Sequence, residues 1–121
     1  MIDNQPQKPV VWVGSAKKDF SRFPTEVQRE MGFALYVAQT GRRCRSTKIL
    51  KGLPSGILEI VETFHGDAFR TIYTIRFESA VFVLHAFQKK SKSGISTPKF
   101  EMKLVQQRLR EAELIEKERQ E

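Results

Sequence analysis

The chain has one cysteine, Cys44, in 121 residues. That excludes an internal disulfide and leaves too few thiolates for a structural zinc site. Cys44 stands among arginines, which can lower a thiol pKa, but its plainest reading is an inert thiol in a basic loop. No apolar run approaches the roughly 18 residues needed to cross a bilayer, and Val81-Phe82-Val83-Leu84 is only strand-length. The first seven residues are polar and lack the apolar centre of a signal peptide, so a cytoplasmic location is expected. There is no Gly-rich phosphate loop, no Gly-x-Ser-x-Gly nucleophile motif and no Cys/His metal spacing. The two histidines, His65 and His85, lack the helical spacing of a zinc protease. Kinase, dehydrogenase and common hydrolase readings are set aside, and the expectation is that neither metal nor cofactor is required.

What is present is basic charge and phenylalanine. The formal charge is +7, which attracts polyanions without specifying a fold. Nine phenylalanines supply a core, and the length suits one domain. Residues 1–9 read as a flexible arm, 10–112 as the domain and 113–121 as a charged helix end expected to fray.

Val10-Val11-Trp12-Val13, ended by Gly14, reads as a first strand. Ser15 can cap a short helical turn. Pro24 and Glu26 suit the opening of a helix over about 24–40, with Val27, Met31, Leu35 and Ala38 on one side and Gly41 as its stop. A basic connection containing Lys48 and Lys51 follows. Three strand-like segments come next, Ile57–Phe64, Ala68–Phe77 and Ala80–Phe87. Their short connections force antiparallel neighbours. Thr97 and Pro98 can open a last helix with Met102, Val105, Leu109 and Ala112 along one side. The fold class is α+β, an N-terminal strand plus a three-stranded meander in a small antiparallel sheet flanked by helices.

Folding the meander on two-residue turns, Gly66-Asp67 and Glu78-Ser79, sorts the strand residues by parity. One face collects Leu58, Ile60, Phe64, Phe69, Tyr73, Ile75, Phe77, Phe82, Leu84 and Ala86, with Glu62 as a misfit. This is the face expected to receive the helices. The other collects Glu59, Val61, Thr63, His65, Arg70, Ile72, Thr74, Arg76, Val81, Val83, His85, Phe87 and Lys89. Such a face can be merely the solvated side of an antiparallel sheet. Its composition also suits RNA cleavage through the 2′-hydroxyl, which needs a base, cationic groups and an acid. Arg70 and Lys89 can supply charge, Glu59 or His65 a base, and His85 or a lysine an acid. Phe87 offers a stacking surface, while Lys51, His65, Arg76, Lys90 and Lys92 suit RNA contacts.

Lys51-Gly52-Leu53 with Gly56 and Leu58-Glu59-Ile60, then Ala68 to Tyr73, Val83 to Ser91 and Thr97-Pro98, resemble the phage-derived branch of the RelE/HigB toxin superfamily. The run Leu84-His85-Ala86-Phe87-Gln88-Lys89-Lys90-Ser91 carries most of the likeness, which extends from about Val11 to Ala112. The resemblance implies the compact RelE fold and a toxin that cleaves messenger RNA on the translating ribosome. It also implies an antitoxin partner, in this branch a small helix-turn-helix protein. Arg70 matches the family's strand arginine at the scissile phosphate, and Lys89 falls where the family carries a catalytic basic residue. Where RelE has lysines on the preceding strand, this chain has Glu59 and Val61. A non-catalytic RNA- or ribosome-binding module and a basic protein-interaction domain are the alternatives.

Overall fold

The computed structural model describes residues 7–89 and 97–121. Its elements, in chain order, are β1 (Val10–Trp12), α1 (Ala16–Phe20), α2 (Thr25–Gln39), β2 (Thr47–Ile49), β3 (Ile57–Phe64), β4 (Asp67–Thr74), β5 (Val81–Lys89) and α3 (Lys99–Gln120). The strands form one five-stranded sheet in the order β1-β5-β4-β3-β2. The α+β class and the flanking helices are as expected, but the sheet is mixed. β1 runs parallel to β5, with Val11 opposite Phe82. The basic connection contributes a fifth strand, β2, antiparallel to β3.

The helices divide between the two faces. α1 and α2 bury Ala16, Phe20, Val27, Met31, Leu35 and Ala38 against Leu58, Ile60, Phe69, Tyr73, Val81 and Val83. Rings at 5.0–5.7 Å centroid separation run from Trp12 through Phe20 and Phe23 to Phe69, tying β1 and α1 to the sheet centre. Such pairs stabilise beyond their buried area by about 0.5–1.5 kcal/mol each. The other face is covered by α3, whose Val105, Leu109 and Ala112 pack on Ile57, Ile72, Phe82, Leu84 and Phe87. The expectation of one helix-covered face and one open face is therefore corrected.

Side-chain parity holds for half of the meander. The β3–β4 turn is His65-Gly66, both at positive φ (51° and 85°), rather than Gly66-Asp67. Two positive-φ residues are what a tight type I′ hairpin demands. The register thereby moves by two, Val61 and not Thr63 facing Arg70, and a shift of two leaves every side chain on its face. Between β4 and β5, Arg70 faces Phe87 and Ala68 faces Lys89, as expected. Further along, Ile72 pairs with His85 but Tyr73 pairs with Val83, so Leu84 is an extra residue in a β-bulge. The bulge turns Val81 and Val83 toward α1 and α2, and leaves Phe82 and Leu84 under α3, reversing their expected placement. β4 ends at Thr74, so Ile75 and Phe77 belong to a longer connection, not to a strand before a two-residue turn.

The bulge has its own support. Arg108 of α3, buried, donates from Nη1 to the Leu84 carbonyl at 3.0 Å and from Nη2 to Ser15 Oγ at 2.9 Å. Gly14 sits against it at φ 58°, where an added Cβ would lie 2.5 Å from Arg108 Nε. The C-terminal end of α3 stays helical to Gln120, where fraying was expected. Ser79 on the β4–β5 connection donates its hydroxyl to Glu116 and accepts from Arg119 Nε at 2.8 Å. The Ser79 bond, followed by one from Gln120, holds the Glu116 carboxyl below its ordinary range.

Candidate functional site

Cross-strand register lines the candidate residues up in rows on the α3 face. Lys48, Glu59, Ile72 and His85 are successive partners across β2, β3, β4 and β5. Val61, Arg70 and Phe87 form the next row, then Thr63, Ala68 and Lys89. With strands about 4.8 Å apart, Glu59 and His85 stand about 10 Å from each other, and Arg70 lies between them one row on. The sheet thus brings Glu59, Arg70, His85, Phe87 and Lys89 together.

These groups do not lie on an open surface. Glu59 is 1% exposed, Arg70 4% and His85 4%. Arg70 Nη1 donates to Glu59 Oε1 at 3.1 Å, a buried ion pair. The other carboxylate oxygen, Oε2, accepts from the Thr97 hydroxyl at 3.0 Å. His85 Nε2 meets Glu101 Oε1 at 2.5 Å. Its Nδ1 is buried with no hydrogen-bond partner among the described residues. Phe87 stacks on the His85 ring, with centroids 5.1 Å apart and planes 21° apart. Phe87 is itself buried, so it is not the exposed stacking platform expected from the sequence.

The start of α3 supplies both contacts over this cluster. Thr97 does not cap the helix with its side chain as expected. The N-cap position is Pro98, and the hydroxyl serves Glu59 instead. Glu101 lies in the first turn, where a carboxylate also complements the helix dipole. Two clefts flank the cluster. One, about 400 Å³, is lined by Lys48 to Lys51, Glu59, Thr97 and Met102. The other, about 320 Å³, is lined by Asp19, Arg22, Phe23 and His85 to Gln88.

The remaining candidates scatter. Lys51 is exposed and borders the larger cleft. Lys89 is half-buried at the end of β5. His65 is exposed on the β3–β4 turn, edge-on to Phe64 at 4.2 Å. Arg76 follows β4, bonding the Ser55 carbonyl at 3.3 Å and lying 5.9 Å over Phe77. Six residues of extended chain, about 20 Å, separate it from Arg70, so it is not part of the cluster. Lys90 and Lys92 lie outside the described residues. Sequence reasoning missed Glu101 and Arg108. Glu101 could be placed in a first helical turn, but nothing local announces the histidine it reaches. No helix among the described residues is long and apolar enough to cross a membrane.

A model of the family described as phage derived protein Gp49-like (DUF891) matches residues 18–110, a span that contains every candidate above. Among solved structures, a chain of the RelBE2 toxin–antitoxin complex from Mycobacterium tuberculosis aligns with a TM-score of 0.47 and 16% identity, over 74% of this chain and 100% of that one. No curated protein matches.

Proposed function

We propose that this chain, which belongs to the Gp49-like family of phage-derived proteins, is the toxin of a toxin–antitoxin pair and cleaves messenger RNA at the ribosome. The reaction is 2′-hydroxyl attack on the adjacent phosphate, expelling the 5′-oxygen of the next nucleotide. The observation that carries the reading is the convergence of Arg70, Lys89 and the His85–Glu101 pair on one end of the sheet. Family membership and the likeness of the Leu84–Ser91 run to RelE/HigB toxins support it independently.

In this reading His85 handles the proton. Glu101 accepts from Nε2–H, which fixes the ring and its tautomer and leaves the lone pair on Nδ1. Nδ1 is then the nitrogen that takes the 2′-hydroxyl proton. Arg70 and Lys89 face the charge that develops on the phosphorane. Glu59 is not needed as the base, and its part in the cleavage step is to hold the guanidinium in place through Oε1. RNA approaches these groups from the smaller cleft, which His85 to Gln88 line together with Arg22. Lys48 and Lys51, exposed beside the larger cleft, guide the phosphates. The partner that silences the toxin is an antitoxin, a small helix-turn-helix protein by the family likeness.

Induced expression with 5′-end mapping of transcripts tests the proposal. Wild type arrests growth and produces new cuts within translated frames, and Lys89→Ala loses both. Arrest without cuts supports a non-catalytic ribosome binder instead, a reading favoured by the burial of Arg70 and His85.

A further inference from the structure

The larger cleft has the size and chemistry of a nucleobase pocket. Its volume of about 400 Å³ admits one nucleotide and not a folded strand. Ile49, Leu50 and Met102 supply apolar wall, and Ile49 is 62% exposed, so part of that wall faces solvent. Lys48 and Lys51 stand exposed where a nucleotide's phosphate would leave the pocket. Between them the lining includes one buried anion, Glu59.

A carboxylate is an acceptor only, with about four acceptor positions on its two oxygens. Arg70 takes one position on Oε1 and Thr97 one on Oε2. Among the described residues each oxygen therefore keeps an acceptor position. The nucleobase edge that answers two adjacent acceptors is that of guanine, whose N1–H and N2–H point the same way. Adenine and cytosine each set an acceptor nitrogen beside their amino group, and uracil flanks its N–H with two carbonyls. Any of these turns an acceptor toward a buried carboxylate, which is the costly arrangement.

We infer that the cleft between β2 and the start of α3 is a guanine-binding subsite, with Glu59 reading the base and Lys48 and Lys51 holding its phosphate. It deepens the nuclease reading by naming the base held beside the cut, and that context rests on the nuclease reading. The pocket itself is tested without cleavage. Amide and methyl NMR shifts of the full chain are titrated with guanosine, inosine, adenosine, cytidine and uridine 5′-monophosphates. Guanosine monophosphate should shift Ile49, Leu50, Lys51 and Met102. Inosine monophosphate, lacking the N2 amine, should bind about tenfold to a hundredfold more weakly, the worth of one hydrogen bond to a charged group. The other three should be weaker still.

Lys51→Ala should weaken all nucleotides alike, whereas Glu59→Gln should abolish the preference for guanine. Because Glu59→Gln disturbs a buried ion pair, Met102→Lys, which blocks the cleft from its half-buried wall, serves as a second variant and should abolish binding. Equal binding of all five nucleotides, or shifts that spare the lining residues, overturns the inference. Transcript cuts with no fixed guanine beside them also overturn it while leaving the nuclease intact. Guanine-selective binding without any cleavage sustains the pocket and overturns the nuclease reading.

Discussion

Replacing Arg70 by methionine keeps an unbranched apolar stem and removes the charged guanidinium. Glu59, 1% exposed, is then an anion without its ion-pair partner, with the Thr97 hydroxyl as its remaining side-chain donor among the described residues. Breaking a buried pair in this way costs about 3–5 kcal/mol, and a domain of this size has about 5–15 kcal/mol in all. The single variant should therefore lose about a fifth or more of its stability. Adding Glu59→Leu removes the stranded charge and leaves the half-exposed Thr97 hydroxyl to find water. Apolar replacement of a whole buried pair is often neutral or stabilising by about 1–4 kcal/mol, so the double variant should return to wild-type stability or exceed it. On the proposed function it should nonetheless be inactive, because the cation offered to the phosphorane is gone. Urea denaturation of the four proteins of the cycle reads the coupling directly. A cost below about 1 kcal/mol for Arg70→Met, or a double variant no more stable than the single, refutes this reasoning.

Gly14→Ala places a Cβ 2.5 Å from Arg108 Nε at a φ of 58°. The left-handed backbone alone costs about 1–2 kcal/mol, and displacing Arg108 frees the bulge carbonyl, so thermal unfolding should show a loss above about 2 kcal/mol. Glu62, beside Glu30, has its carboxyl pushed above the ordinary 4.5, first by burial and then by the neighbouring charge. A raised carboxyl stabilises the fold below its unfolded pKa, and that stability is lost as pH rises through the folded pKa. Glu62→Gln should thus be neutral near pH 3.5 and stabilising by less than about 1 kcal/mol at pH 7, read as a pH series of melting points. Glu101→Gln should lower the cleavage rate about a hundredfold or more with melting little changed, because the His85 ring loses the carboxylate that orients it. An unchanged rate assigns Glu101 a structural role only.

Much of the site is legible in the sequence because strand side chains alternate strictly. Glu59, Arg70, His85, Phe87 and Lys89 share a face by parity alone, and the two-residue error in the β3–β4 register could not disturb that. The bulge was not legible. Leu84 differs in nothing local from its neighbours, and one extra residue reverses Val81 to Val83. Thr47-Lys48-Ile49 is too short and too charged to announce an edge strand, although Lys48 extends the row through Glu59 to His85. The stripe Val105, Leu109 and Ala112 was readable as an apolar helix face. Which side of the sheet it covers is a tertiary matter, and on that choice turns whether Arg70 and His85 are open or buried. Arg108, one residue from Leu109 in the chain, is a surface charge by pattern. It becomes a structural clamp only once the bulge has turned the Leu84 carbonyl toward it.

The most direct test is the chemistry of the RNA ends. Purified protein acting on translating ribosomes in the presence of a metal chelator should leave a 2′,3′-cyclic phosphate upstream and a 5′-hydroxyl downstream of each cut, with His85→Gln and Lys89→Ala failing to cut. Fragments carrying 5′-phosphates, or cutting that survives both substitutions, would contradict the assignment of the sheet-end cluster as the catalytic centre.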